Sequence, residues 1–188
     1  MKKNLFALAM LAAAAFSSNV SATEITFSDA DGVYSYNGLA FNGPSQYTSQ
    51  GYTFAAILEP GDVDGHFHQD YFGPGTVLMH DNTPGQPDTW RLTSDSGLFN
   101  LVSFTTIGDG LVWSVDGGAQ QAAINGLNIV NLTNVNFLDF KLANPGACCG
   151  NGMDAFDVAE ASAVPEPASL TLFGLGLAWL PFRRRVSR

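Results

Sequence analysis

The stretch FNLVSFTTIGDGLVWSVDGG, residues 99–118, decides the fold class. Two runs rich in β-branched and aromatic residues, Phe99 to Ile107 and Leu111 to Val115, are separated by Asp109 and Gly110, and the second is followed by Asp116, Gly117 and Gly118. Asp-Gly and Gly-Gly accept positive φ at little steric cost, so both junctions read as hairpin turns and the segment as an antiparallel meander. Working outward, similar runs recur at Ile25 to Phe27, Tyr52 to Leu58, Thr76 to His80, Thr89 to Leu92, Ile129 to Leu132, Val135 to Leu142 and Ala155 to Val158. In Val135 to Leu142 the residues Val135, Phe137, Leu138, Phe140 and Leu142 mostly alternate with Asn136, Asp139 and Lys141, as a strand with one buried face requires. No segment between these runs carries a convincing helical period. With 13% charged residues, 20 Gly, 9 Pro and 14 Phe, the chain is too poor in charge for a coiled coil or charge-rich disorder. Roughly nine to twelve short strands at this spacing predict two packed sheets, an all-β, jelly-roll-like antiparallel β-sandwich.

Both ends read as addresses. Residues 1–22 open with Lys2 and Lys3, continue through an apolar run from Leu5 to Phe16 and finish on Val20, Ser21 and Ala22, the pattern of a cleaved secretory signal peptide. At the other end Ala168 to Phe182 is a second uncharged run, followed at once by Arg183, Arg184 and Arg185. Fifteen residues reach only about 22 Å as a helix, which suits a transient transmembrane hold, with the arginines on the cytoplasmic side. The linker Ala159 to Val164 is a small-residue tether that separates this tail from the sandwich at residues 23–163.

Immediately before the apolar run stand Val164, Pro165, Glu166 and Pro167. Pro-Glu-Pro, a short apolar helix and a terminal arginine cluster together closely resemble the PEP-CTERM sorting signal of bacterial exosortase substrates, over residues 164–188. The two prolines forbid helix at the boundary and keep the segment extended, where a protease can grip it. The resemblance implies export by signal peptidase processing across the inner membrane of a Gram-negative bacterium and a transient stay in that membrane. Cutting by exosortase would then release the chain to the cell surface or the extracellular exopolysaccharide matrix of a biofilm.

Residues 23–163 contain two basic residues, Arg91 and Lys141, against sixteen Asp and Glu, a formal charge of −14. Such a field repels nucleic acid and anionic lipid and attracts cations, so nucleic acid is excluded as a partner. Ile25 to Phe27, Gly51 to Phe54 and Met153 to Val158 are similar to strands of carbohydrate-binding-module-like sandwiches. That resemblance implies a structural Ca2+ held by Asp29, Asp31 and Asp154, with surface turn acids as the alternative.

Residues 59–98, rich in Pro, Gly, Asp and His, read as long loops at one edge of the sandwich and the place for a binding site. There Asp62, Asp64, His66, His68 and Asp70 place a ligand-type residue at every second position, all on one face if the chain is extended. His80 and Asp81 are poised to join from the next strand. Two His separated by one residue on a strand can converge on one divalent ion, whereas in a loop the alternation loses its meaning. Tyr47, Tyr71, Phe72 and Trp90 are the aromatic residues expected to stack on sugar faces, and Trp113 reads as core. Adjacent Cys148 and Cys149 suit a vicinal disulfide that staples a turn, or an intermolecular bridge. Neither a nucleophile elbow nor a phosphate-binding Gly loop is present, so the expectation is a non-enzymatic exported protein, either one that contacts polysaccharide through those aromatic residues or a matrix filler with no discrete ligand. A metal-binding protein or metalloenzyme centred on His66, His68 and His80 is the alternative.

Overall fold

A computed structural model of the protein describes residues 21–36, 43–58, 65–80, 89–143 and 150–161. These contain strands and turns and no helix, in keeping with the all-β expectation. The strands are β1 (Thr23–Thr26), β2 (Val33–Ser35), β3 (Gln46–Ser49), β4 (Tyr52–Ile57), β5 (His66–Gln69), β6 (Val77–His80), β7 (Thr89–Ser94), β8 (Phe99–Ile107), β9 (Leu111–Val115), β10 (Gln121–Ala122), β11 (Gly126–Val135), β12 (Phe137–Leu142) and β13 (Gly152–Glu160). They form two antiparallel sheets. The first runs β11-β8-β13-β6-β5, with β1 also on β13; the second runs β10-β9-β12-β7-β4-β3-β2.

Period-two alternation explains why the sheets stack. Across the second sheet, register places Ala56, Trp90, Phe140 and Trp113 in one inward row and Phe54, Leu92 and Leu138 in the next. From the first sheet Phe67, Phe104 and Phe156 point back at them. Ring centroids of Phe54 and Phe156 lie 5.1 Å apart, those of Phe104 and Phe140 5.1 Å, and those of Phe104 and Trp113 5.5 Å, so aromatic edges and faces interlock across the sandwich. On the outer face of the second sheet Arg91 grips Asp139 with two hydrogen bonds of 2.7 and 2.8 Å and lies 3.9 Å over the Phe137 ring.

Three local readings of the sequence need correction. The Asp109-Gly110 junction is not a hairpin: β8 pairs with β11 and β13, while β9 pairs with β10 and β12, so the chain crosses between sheets there. Gly108, at φ +87°, lets this crossover press against the Gly150 carbonyl where a Cβ would collide, and the Gly110 N–H donates to Asn151 Oδ1 at 2.8 Å. The Asp116-Gly117 junction does make a hairpin, β9–β10, with φ of 51° and 72° at its two residues. Second, the run Val135 to Leu142 is two strands: Val135 ends β11 in the first sheet and Phe137 opens β12 in the second. The Asp116 carboxylate pins that corner, accepting hydrogen bonds from the backbone N–H of Asn136 at 2.9 Å and of Phe137 at 3.0 Å. Third, residues 59–98 hold one strand more than the sequence marked: β5 stands beside β6 and β7, which answer to the runs Thr76 to His80 and Thr89 to Leu92. The strand character of β5 was masked by His66, His68 and Gln69, which leave Phe67 as its one apolar residue.

Candidate metal centre

Strands β5 and β6 pair with His66 opposite His80, Phe67 opposite Met79 and His68 opposite Leu78. Phe67 and Met79 point into the core and are fully buried, which turns His66, His68 and His80 to the other face of the sheet. Two signals combine here: the i, i+2 spacing aligns His66 with His68, and antiparallel register delivers His80 beside them. The Phe67 N–H bonds the Pro44 carbonyl at 2.8 Å, and Gly43 packs so closely on His66 and the Phe67 carbonyl that a Cβ has no room. This packing leaves His66 only 1% exposed and His80 7%, with His68 half-buried at the mouth.

The three imidazoles converge. His66 Nε2 and His68 Nε2 are 3.2 Å apart, and one ring nitrogen from each of the three lies within 4.8 Å of the others. Ring centroids are 4.8 Å (His66 and His68), 4.7 Å (His66 and His80) and 4.9 Å (His68 and His80) apart. Two nitrogens bound tetrahedrally at about 2.0–2.1 Å stand about 3.3–3.4 Å from each other, so the His66–His68 separation already matches one edge of a coordination polyhedron. An all-nitrogen donor set suits Zn2+, Cu2+ or Ni2+ and not the oxygen-seeking Ca2+ or Mg2+. Among the described residues three side chains converge, with His68 half-buried at the mouth.

The other predicted ligands fare differently. Asp70 leaves the row: it adopts φ 53° and its Oδ1 accepts the Gly75 N–H at 2.8 Å, closing the β5–β6 turn. Asp62, Asp64 and Asp81 lie outside the described residues, as do Cys148, Cys149 and the whole tail with Val164, Pro165, Glu166, Pro167, Arg183, Arg184 and Arg185. The acids assigned to calcium do not assemble: Asp29, Asp31 and Asp154 form no converging group among the described residues. Asp29 instead spends its carboxylate on the Thr26 hydroxyl at 2.7 Å and the Ser49 hydroxyl at 2.9 Å, tying the end of β1 to β3.

Of the aromatic residues assigned to sugar stacking, Trp90 and Tyr47 are corrected. Trp90 is fully buried in the inward row of β7, and Tyr47 is 2% exposed with its hydroxyl donating to the Thr26 carbonyl at 2.8 Å. Tyr71 and Phe72 do reach solvent in the β5–β6 turn, their rings 5.0 Å apart and Tyr71 6.2 Å from His68. Burial raises the Tyr34, Tyr47 and Tyr52 phenols above their ordinary value, most for Tyr34, where Tyr47 and Asp70 add to the effect. Nothing in the linear order marks a further cleft, lined by Glu24, Ser103, Thr105, Leu127 and Asp157, because its residues come from four strands scattered through the chain.

A protein-family model for the PEP-CTERM protein-sorting motif matches residues 163–185. The tail carries a PEP-CTERM sorting motif. A PEP-CTERM tail marks an exported chain that is held transiently at the membrane and processed by exosortase. No curated protein and no solved structure matches the chain. Among the described residues no helix is long and apolar enough to cross a membrane, and the apolar run of the PEP-CTERM tail lies outside them.

Proposed function

We propose that this PEP-CTERM protein is released to the cell surface or extracellular polysaccharide matrix of a Gram-negative bacterium, where its sandwich binds one divalent transition-metal ion through His66, His68 and His80. Signal peptidase removes residues 1–22 and exosortase cuts the tail, leaving the sandwich as the working part. The observation that carries the metal reading is the convergence of the three imidazoles within 4.8 Å, two of them held at 3.2 Å on a rigid strand pair. Placement on strands favours binding, since buried ligands on a sheet lose little entropy when the ion arrives. The acidic field of the domain raises the local concentration of cations around the site. The half-buried His68 puts the ion within reach of water or an external donor.

The test is titration with Co2+, whose visible absorption reports a low-symmetry nitrogen site. One equivalent should develop the bands, Zn2+ should erase them by displacement, and Ca2+ should do neither. His68→Ala, at a half-exposed position, should abolish the bands while the fold is retained. A full titration without absorption change, or bands that survive His68→Ala, overturns the assignment.

A further inference from the structure

We infer that the outer face of the first sheet carries a binding cleft for a cationic amino-sugar glycan, independent of the histidine centre. The cleft has a volume of about 320 Å3, within the size range of small-ligand sites, and beyond Ala22, which leaves with the signal segment, it is lined by Glu24, Ser103, Thr105, Leu127, Ala155 and Asp157. Register orders these residues into two rows across four strands. One row reads Glu24, Asp157, Ser103, Ile129, and the next Ala155, Thr105, Leu127, from β1 and β13 through β8 to β11. A bulge in β8 makes the alignment, because the register shift beside Val102 turns Ser103 outward while Phe104 still faces the core. Each row therefore runs from a polar or small end to an aliphatic end, with hydroxyls between. At that end Leu127 is 55% and Ile129 67% exposed, an apolar edge open to a ligand's C–H face.

The decisive feature is electrostatic. Glu24 and Asp157 are directly opposite each other on adjacent antiparallel strands, an arrangement in which like charges repel and cost stability. Among the described residues no basic side chain answers them: Arg91 and Lys141 belong to β7 and β12 of the second sheet, and Arg91 is committed to Asp139. A ligand that completes the cleft must bring positive charge for the carboxylates, hydroxyls for Ser103 and Thr105, and a C–H face for Leu127 and Ile129. A glucosamine unit has all three. A uronate is repelled by the same pair, and a neutral hexose leaves the pair uncompensated.

The experiment is calorimetric titration of the full chain, in detergent, with a glucosamine oligomer, its fully N-acetylated counterpart and oligogalacturonate. The glucosamine oligomer should bind about tenfold or more tightly than the other two, and its affinity should fall as salt is raised. Asp157→Asn and Glu24→Gln should each weaken it about tenfold while the thermal midpoint holds or rises, since each relieves repulsion. Equal affinity for the N-acetylated oligomer, or variants that bind like the parent, overturns the proposal. So does a lowered midpoint in both variants, which would mean that the pair is compensated within the protein. Equal binding of a lysine oligomer overturns the glycan assignment, because the surface would then read charge alone.

Discussion

Metal binding at the histidine centre must appear as added stability, and its size follows from linkage. An ion that binds only the folded chain contributes about 2.7 kcal/mol when present at 100 times its dissociation constant. For a domain near the size of Ser21–Ala161, each kcal/mol moves the thermal midpoint by about 2–4 °C, so saturating Zn2+ should raise it by about 5–11 °C. The informative variant is His68→Ala. His68 is half-buried at the mouth of the site, so removing it costs the metal-free protein about 1 kcal/mol or less, a shift of a few degrees. It takes away one of three ligands and with it most of the Zn2+-induced rise. His66→Ala is less clean, because His66 is 1% exposed and its loss opens a cavity against Gly43 and Phe67 whether or not metal binds. Scanning calorimetry of parent and His68→Ala, each with EDTA and with Zn2+, separates the contributions. If EDTA and Zn2+ give the parent the same midpoint, or if His68→Ala rises as far as the parent, the three imidazoles are no more than a hydrogen-bonded cluster and the reasoning fails.

Three further outcomes follow from other parts of the molecule. Burial raises the Tyr34, Tyr47 and Tyr52 phenols above the ordinary value of 10.0, so the unfolded chain ionises first. The stability they contribute is complete below about pH 10 and drains as pH rises beyond it; urea unfolding across that range should show a fall that Tyr34→Phe makes shallower. Asp116→Ala strips the corner at Asn136 and Phe137 of its acceptor and should cost about 1–2 kcal/mol in chemical denaturation, with Asp116→Asn, which keeps an acceptor oxygen, losing less. In the tail, Glu166→Ala should leave the chain uncut and in the membrane fraction, seen as a larger band by electrophoresis, whereas a normally processed variant would show that the motif is not the one being read.

Much of the fold was legible because strand formation is local. Phe99 to Ile107 and Leu111 to Val115 read as strands from their β-branched and aromatic content, and both are strands. Their partners were not legible. Asp109 and Gly110 satisfy the steric needs of a hairpin and equally those of a crossover, and the packing of Phe104 against Trp113 and Phe140 across the sandwich selects the crossover. Val135 fits the alternation of the run that follows it, yet Asp116, 20 positions before Asn136, holds the corner that sends Val135 and Phe137 into different sheets. The histidine row was visible as alternate positions, and Asp70 looked like part of it until its φ of 53° took it into the turn. Trp90 looked available for sugar because it stands among Pro, Gly and Asp, but β7 runs through the middle of the second sheet and buries it.

By itself, the sequence determined that this chain is built of short strands, that it ends in a PEP-CTERM sorting signal, and that His66 and His68 share a side of any strand they form. These properties depend on residues a few positions apart, through side-chain period, turn sterics and the order of a linear motif. Only the tertiary structure decided that His80 stands across from His66, that Glu24 faces Asp157, and that Trp90 is core. Those outcomes depend on which strands pair and in what register, which is settled by burying apolar faces between residues far apart in the chain, and no local pattern records it.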